Sequence, residues 1–177
     1  MPQSPVSFER FLPKDHAAAL AEWLSSDEWP FHAGDRSSAV EIERQIGAGG
    51  FDPPDRETYW IVDSSATRIG LLQLQDLDDV EDGEPQFDLR IRSTNRNRGA
   101  GKEAVRWLTG TLFERYPGLQ RISGTTRGDN IPMQKVFEAC GYIREGVFRE
   151  AWRTAAGGRM DTLYYGIIRS DWSGGVI

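Results

Sequence analysis

The sequence predicts an α/β (α+β) fold: a mixed, mostly antiparallel sheet of about seven strands with about four helices, in a single domain spanning residues 1–177. Three observations carry this. Seven short segments have the apolar pattern of strands, and four have apolar residues at helical spacing. The two kinds interleave as strand, two helices, three strands, helix, strand, helix and hairpin. The 177 residues suffice for one full core and are few for two.

The elements follow in order. Ser7 to Leu12 reads as a short strand. Lys14 to Leu24 reads as a helix, with Asp15 as its cap and Ala18, Leu20 and Leu24 among its apolar positions. Asp27 to Gly34 is a loop with high aromatic content. Ser38 and Glu41 have the spacing of a capping box and open a second helix that ends near Gly47 to Gly50. Thr58–Val62 and Ile69–Leu77 are strands joined by a turn over Ser64 to Thr67. Phe87 to Arg92 is a strand with Phe87, Leu89 and Ile91 on one face. Gly101 to Tyr116 is a helix, with Val105, Leu108 and Leu112 on one side. Arg121–Thr126 is a strand and Ile131–Ala139 a helix. Two last strands, Tyr142–Thr154 and Met160–Arg169, meet across Gly157 and Gly158.

Composition excludes several classes. With 21 basic and 27 acidic residues the net charge is −6, and such a surface repels nucleic acid and anionic lipid. The one cysteine, Cys140, excludes an internal disulfide and a Cys-rich zinc site, and no His/Asp/Glu spacing points to a metal. The first thirty residues carry charges throughout, and no apolar run nears the roughly 20 residues of a spanning helix. A cytoplasmic protein without nucleic-acid or membrane partners is expected; its oligomeric state is left open.

The mean charge hides a local asymmetry. Asp76, Asp78, Asp79, Glu81, Asp82 and Glu84 put six acids into nine residues. A basic run from Arg90 to Arg106 follows and contains Arg96-Asn97-Arg98-Gly99-Ala100-Gly101, placed between a predicted strand and a predicted helix. A sharp turn there leaves the first helical N–H groups unpaired, and with the helix dipole they make an anion site. Glycines admit the anion closely and allow positive φ. Arg96, Arg98 and Lys102 add charged donors, so the loop asks for phosphate, above all pyrophosphate. Read from Gly99, the same stretch also fits the dinucleotide pattern G-x-G-x-x-A. That reading needs a leading βαβ unit and an acid at the next strand end, and Arg121–Thr126 ends without one. A glycine turn that binds nothing is the remaining alternative.

Read from Arg96, the pattern is R-x-x-G-x-G, which resembles the acetyl-CoA pyrophosphate loop of the GNAT superfamily of N-acetyltransferases. The run Asn130-Ile-Pro-Met-Gln-Lys135 through Gly141-Tyr142 is similar to that family's second cofactor motif, in which an Asn opens a helix ending in Gly-aromatic. Glu145-Gly146, Arg149, Gly158-Arg159, Asp161, Tyr164 and Asp171-Trp172 resemble the branch containing the ribosomal-protein alanine N-acetyltransferases. The likeness is strongest over 58–172.

That resemblance implies a sheet splayed between its fourth and fifth strands, with the acyl-pantetheine arm in the gap and an amine attacking the thioester directly. It implies that backbone groups of Ile91 and Ser93 pair with pantetheine amides. Arg96, Arg98, Gly99, Ala100, Gly101 and Lys102 would hold the pyrophosphate. Asn130, Met133 and Lys135 would contact the arm or a phosphate. The acceptor would be a small-molecule amine or a protein N-terminus. Two departures stand out: where many relatives have a thiolate-protonating Tyr this chain has Phe137, and where the ribosomal-protein branch has a Ser it has Met133. Neither side chain donates a proton. A non-catalytic acyl-CoA binder on the same fold and a nucleotide-dependent oxidoreductase are the rival functions.

The remaining candidates belong to the acceptor side. An imidazole suits removal of an ammonium proton, which makes His32 a candidate base, and Trp29 and Phe31 beside it are expected to line the substrate pocket. Asp88 and Glu84 flank the strand nearest the thioester, where some relatives carry a catalytic Glu. The acidic run is expected to attract a cationic amine. Cys140 is expected to pack in the core and His16 to be inert.

Overall fold

The computed structural model describes residues 6–32, 37–78, 80, 84–154 and 156–173. Helix α1 (Pro13–Ser25) starts earlier than expected, because Pro13 has no N–H to satisfy and its φ already suits a first helical position. Leu12, not Asp15, is therefore the N-cap, and its N–H donates to His16 Nδ1 at 3.1 Å. Asp15 instead faces the positive end of the helix dipole from the first turn. Helix α2 (Ala39–Gly47) opens on the expected capping box, with Ser38 and Glu41 each bonding the other's backbone.

Strands β1 (Val6–Arg10), β2 (Glu57–Asp63), β3 (Arg68–Gln75) and β4 (Gln86–Ile91) form one antiparallel sheet in that order. Strands β5 (Arg121–Arg127), β6 (Ile143–Arg153) and β7 (Arg159–Ile168) form a second, in the order β5-β7-β6, also antiparallel. Helices α3 (Ala100–Arg115) and α4 (Ile131–Ala139) flank β5 in sequence. The two sheets touch where the Ser123 N–H reaches the Pro85 carbonyl at 3.2 Å. Among the described residues no ladder joins β4 to β5 beyond that point, so their seven strands are splayed between the fourth and fifth, as expected.

Each face of the sheet buries its own core. On one side Leu108 and Leu112 of α3 and Phe137 of α4 pack on Leu72, Leu74 and Ile122, all without exposed surface. On the other, Leu20, Trp23 and Leu24 of α1 and Ile42 and Ile46 of α2 cover Trp60 and Leu71. Phe137 stacks on Tyr165 with centroids 4.6 Å apart and planes within 6°. A Cβ on Gly124 of β5 would come within 2.8 Å of the Phe137 ring, so glycine at that position is what admits the ring. Cys140 is buried beside it, and burial pushes its thiol up to about 11, as suits a packing residue.

Candidate active site

The splay opens into a cleft of about 290 Å³, near the lower limit for small-ligand sites. Leu89 and Ile91 of β4 form one wall and the start of α4 another. After β4 the chain makes a short 3-10 turn over Ser93–Asn95. It then turns through left-handed Asn97 (φ 61°) and Gly99 (φ 91°) into α3. Glu103 N–H is bonded to the Gly99 carbonyl. The N–H groups of Ala100, Gly101 and Lys102 precede that bond and have no intrahelical acceptor. Gly99, Ala100, Gly101 and Lys102 all line the cleft.

Asn130 caps α4, its Oδ1 accepting the Met133 N–H at 3.3 Å while its Nδ2 donates to Thr126 Oγ1 at 3.0 Å. Both bonds fix the side chain at the cleft edge, where Met133 and Lys135 also stand. Lys102 and Lys135 line the cleft and, like Arg98 outside its lining, take part in no ion pair among the described residues, whereas Arg90 and Arg127 pair with Asp88 and Asp129. Two cations without carboxylate partners beside a helix N-terminus are suited to an anion.

Trp29, Pro30, Phe31 and His32 cover the cleft from the loop after α1. Trp29 stacks on Trp23 at 4.8 Å and donates its Nε1–H to the Leu24 carbonyl at 2.8 Å. His32 Nε2 lies 3.0 Å from Asp88 Oδ1, and Arg90 donates to the other Asp88 oxygen at 2.9 Å. Burial raises the Asp88 pKa, but the hydrogen bond and charge of His32, with Arg90, outweigh it and hold the carboxyl well below the usual range. A carboxylate there accepts Nε2–H, so Nδ1 is the ring nitrogen not engaged with Asp88. That Nδ1 is buried and has no hydrogen-bond partner among the described residues.

The other candidates are placed differently. Arg96 lines the cleft with two of its nitrogens already engaged: Nε donates to the Ile91 carbonyl at 3.0 Å and Nη2 to the Glu28 carbonyl at 2.6 Å. Ser93 lies outside the cleft lining, and its N–H donates to Asp27 Oδ2 at 2.7 Å, so a pantetheine pairing through that group has a competitor. Glu84 is remote from the lining: it pairs with Arg121 and accepts the Tyr164 O–H at 2.6 Å, tying the β3–β4 connection to β5 and β7. Of the acidic run, Asp79, Glu81 and Asp82 lie outside the described residues. Sequence reasoning missed Arg127 and Asp27, which hold the covering loop through contacts 97 and 66 residues apart along the chain. No local pattern marks such partners.

Among the described residues no helix is long and apolar enough to cross a membrane, and no cluster of three His, Cys, Asp or Glu could hold a metal. The acetyltransferase (GNAT) domain model matches residues 8–143. No curated protein matches the chain significantly. Among solved structures, a probable acetyltransferase superposes with a TM-score of 0.80 at 20% identity, over 96% of each chain. A dodecameric spermidine N-acetyltransferase from Vibrio cholerae gives 0.76 at 16% identity, covering 99% of this chain and 100% of its own. A chimera of that enzyme gives 0.80 at 18%, covering 96% and 98%. At such identities these structures speak for the fold alone. The two spermidine enzymes are not ribosomal-protein alanine N-acetyltransferases, and the branch expected from the tail motifs is not shown.

Proposed function

Because the chain belongs to the acetyltransferase (GNAT) family and is an acetyl-CoA-dependent N-acetyltransferase, we propose that it joins cofactor and amine in the β4–β5 cleft, with His32 as the base. The observation that carries this reading is the glycine-turned start of α3, which opens into the splay beside Lys102 and Lys135, two cations that meet no carboxylate among the described residues. The residues fit the cofactor. A Cβ at Gly101 would meet Val136 at 3.6 Å and Leu89 at 3.9 Å, both walls of the cleft, so the backbone at this position faces into it. The N–H groups of Ala100 to Lys102 would hold the pyrophosphate, with Arg98 and Lys135 as charged partners. Asn130 retains one Nδ2 hydrogen, and Ile91 a second carbonyl lone pair, for the amides of the pantetheine arm.

Acetyl-CoA supplies the activated thioester; the protein has to supply order and a proton acceptor. In its neutral form His32, with Nε2–H held by Asp88 and Nδ1 without a partner among the described residues, takes the proton that the ammonium must lose before its nitrogen attacks. Trp29 and Phe31 exclude water around the reacting carbon. No proton donor for the departing sulfur stands at Phe137 or Met133, so the thiolate leaves as such or is protonated by water.

An imidazole base suits an amine whose own pKa is close to it. An α-amino group at about 7.7–8.0 fits, whereas an alkylamine near 10.4 asks for far more. The acceptor is therefore an α-amino group, of a small molecule or a protein N-terminus, in keeping with the tail's likeness to the ribosomal-protein branch. A polyamine is the second reading, favoured by the spermidine N-acetyltransferases of the same fold. Comparing kcat/KM for an alanine-initiated peptide and for spermidine decides between them. A clear preference for spermidine overturns the first.

A further inference from the structure

The segment from Asp27 to His32 crosses the mouth of the splay and returns. Asp27 and Glu28 are bonded on the β4 side, by the Ser93 N–H and the Arg96 guanidinium. Trp29 to His32 then make a turn closed by the His32 N–H on the Trp29 carbonyl at 3.0 Å, with Pro30 at its first central position. Such a turn points the Pro30 carbonyl outward. Arg127, the last residue of β5, meets it with Nη1 at 2.8 Å and lies 4.9 Å from the centre of the Phe31 ring. Its other two nitrogens, Nε and Nη2, bind the two Asp129 oxygens at 2.6 and 3.0 Å, and the side chain is only 13% exposed. One planar group thus makes a fork, a stack and a carbonyl contact together, which a lysine cannot. From there the chain returns to β4 at the His32–Asp88 contact.

We propose that Arg127 is a positioning residue of the acceptor site: it fixes the Pro30–Phe31 turn to the β5 side so that His32 remains on Asp88. This rests on the reading of the cleft as the place of acetyl transfer. Arg127 touches neither reactant; it acts through the turn. Without it, Trp29 stays anchored on Trp23 and Leu24, but the far end of the loop loses its hold on β5.

The chain has two histidines, so their imidazole nitrogens can be followed separately by ¹⁵N NMR in the wild type, Arg127→Ala and Arg127→Lys. In the wild type, His32 should show the Nε2–H tautomer, bonded to Asp88. In Arg127→Ala that signature should collapse toward averaged nitrogens while His16 is unchanged, and Arg127→Lys should restore it in part. With acetyl-CoA as donor and an alanine-initiated peptide or spermidine as acceptor, kcat/KM for the amine should fall about tenfold or more in Arg127→Ala. The dissociation constant for acetyl-CoA should stay within about twofold, since the α3 loop is untouched. Unchanged His32 signals, or an unchanged kcat/KM beside a lowered melting temperature, would overturn the proposal and leave Arg127 a purely structural residue. If the wild type fails to bind acetyl-CoA, the reading of the cleft fails, and the imidazole comparison still decides whether Arg127 holds His32.

Discussion

His32 Nε2 stands 3.0 Å from an Asp88 carboxylate oxygen, joining the loop after α1 to the middle of β4. The contact ties the loop that covers the cleft to its β4 wall, and it also has a thermodynamic consequence. Burial raises the Asp88 pKa, yet His32 and Arg90 lower it further than burial lifts it. A carboxyl depressed in the folded state adds stability above its unfolded value of about 3.9, and that contribution is lost as pH falls toward the folded value. Asp88→Asn should therefore lower the urea midpoint at neutral pH, and the gap to the wild type should narrow from about pH 5 downward. A gap that stays constant with pH would show that the Asp88 charge is not what stabilises.

Two glycine variants separate fold from ligand. Gly101→Ala adds a Cβ that meets only ordinary contacts, within a helix where alanine is favoured by about 1 kcal/mol. Its melting temperature should hold or rise while acetyl-CoA binding weakens. Gly99→Ala should cost about 1–2 kcal/mol of stability as well, because φ is +91° there. Thermal melts with and without acetyl-CoA measure both.

Arg98→Ala and Lys135→Ala remove cations that have no ion-pair partner among the described residues. Neither should alter thermal stability by more than about 0.5 kcal/mol. Both should weaken acetyl-CoA binding, and the loss should shrink at high salt as the charges are screened. A salt-independent loss would point to packing instead of charge.

Phe137→Tyr does not restore a proton donor. The ring has no exposed surface, is stacked on Tyr165 and abuts Gly124, so an added oxygen overfills a closed site. A loss of about 1–3 kcal/mol is expected from the overpacking alone, without faster turnover. A stable variant with raised kcat would show that a hydroxyl at this position reaches the departing sulfur.

Much of this fold was legible because its signals are local. The capping box at Ser38, the glycines at 99 and 101 and the Asn130 cap each announce themselves within a few residues. Where tertiary contact decides, the sequence is silent. Arg96, the head of the phosphate motif, lines the cleft but also ties Ile91 to Glu28, and Glu84 is drawn to Arg121 and Tyr164. Asp15 lost the cap to Leu12 because Pro13 set where α1 begins. Arg127 carried no signal at all, since its partners, Pro30 and Phe31, meet it only after β5 is laid beside the splay.

The most direct measurement is a calorimetric titration of the wild type and of Gly101→Arg with acetyl-CoA, and of the wild type with NADH. The wild-type cleft should bind one acetyl-CoA and ignore NADH, and the Gly101→Arg variant should lose acetyl-CoA because the long side chain fills the phosphate loop. Undiminished acetyl-CoA binding by Gly101→Arg, or binding of NADH in place of acetyl-CoA, would contradict the assignment of the α3 loop.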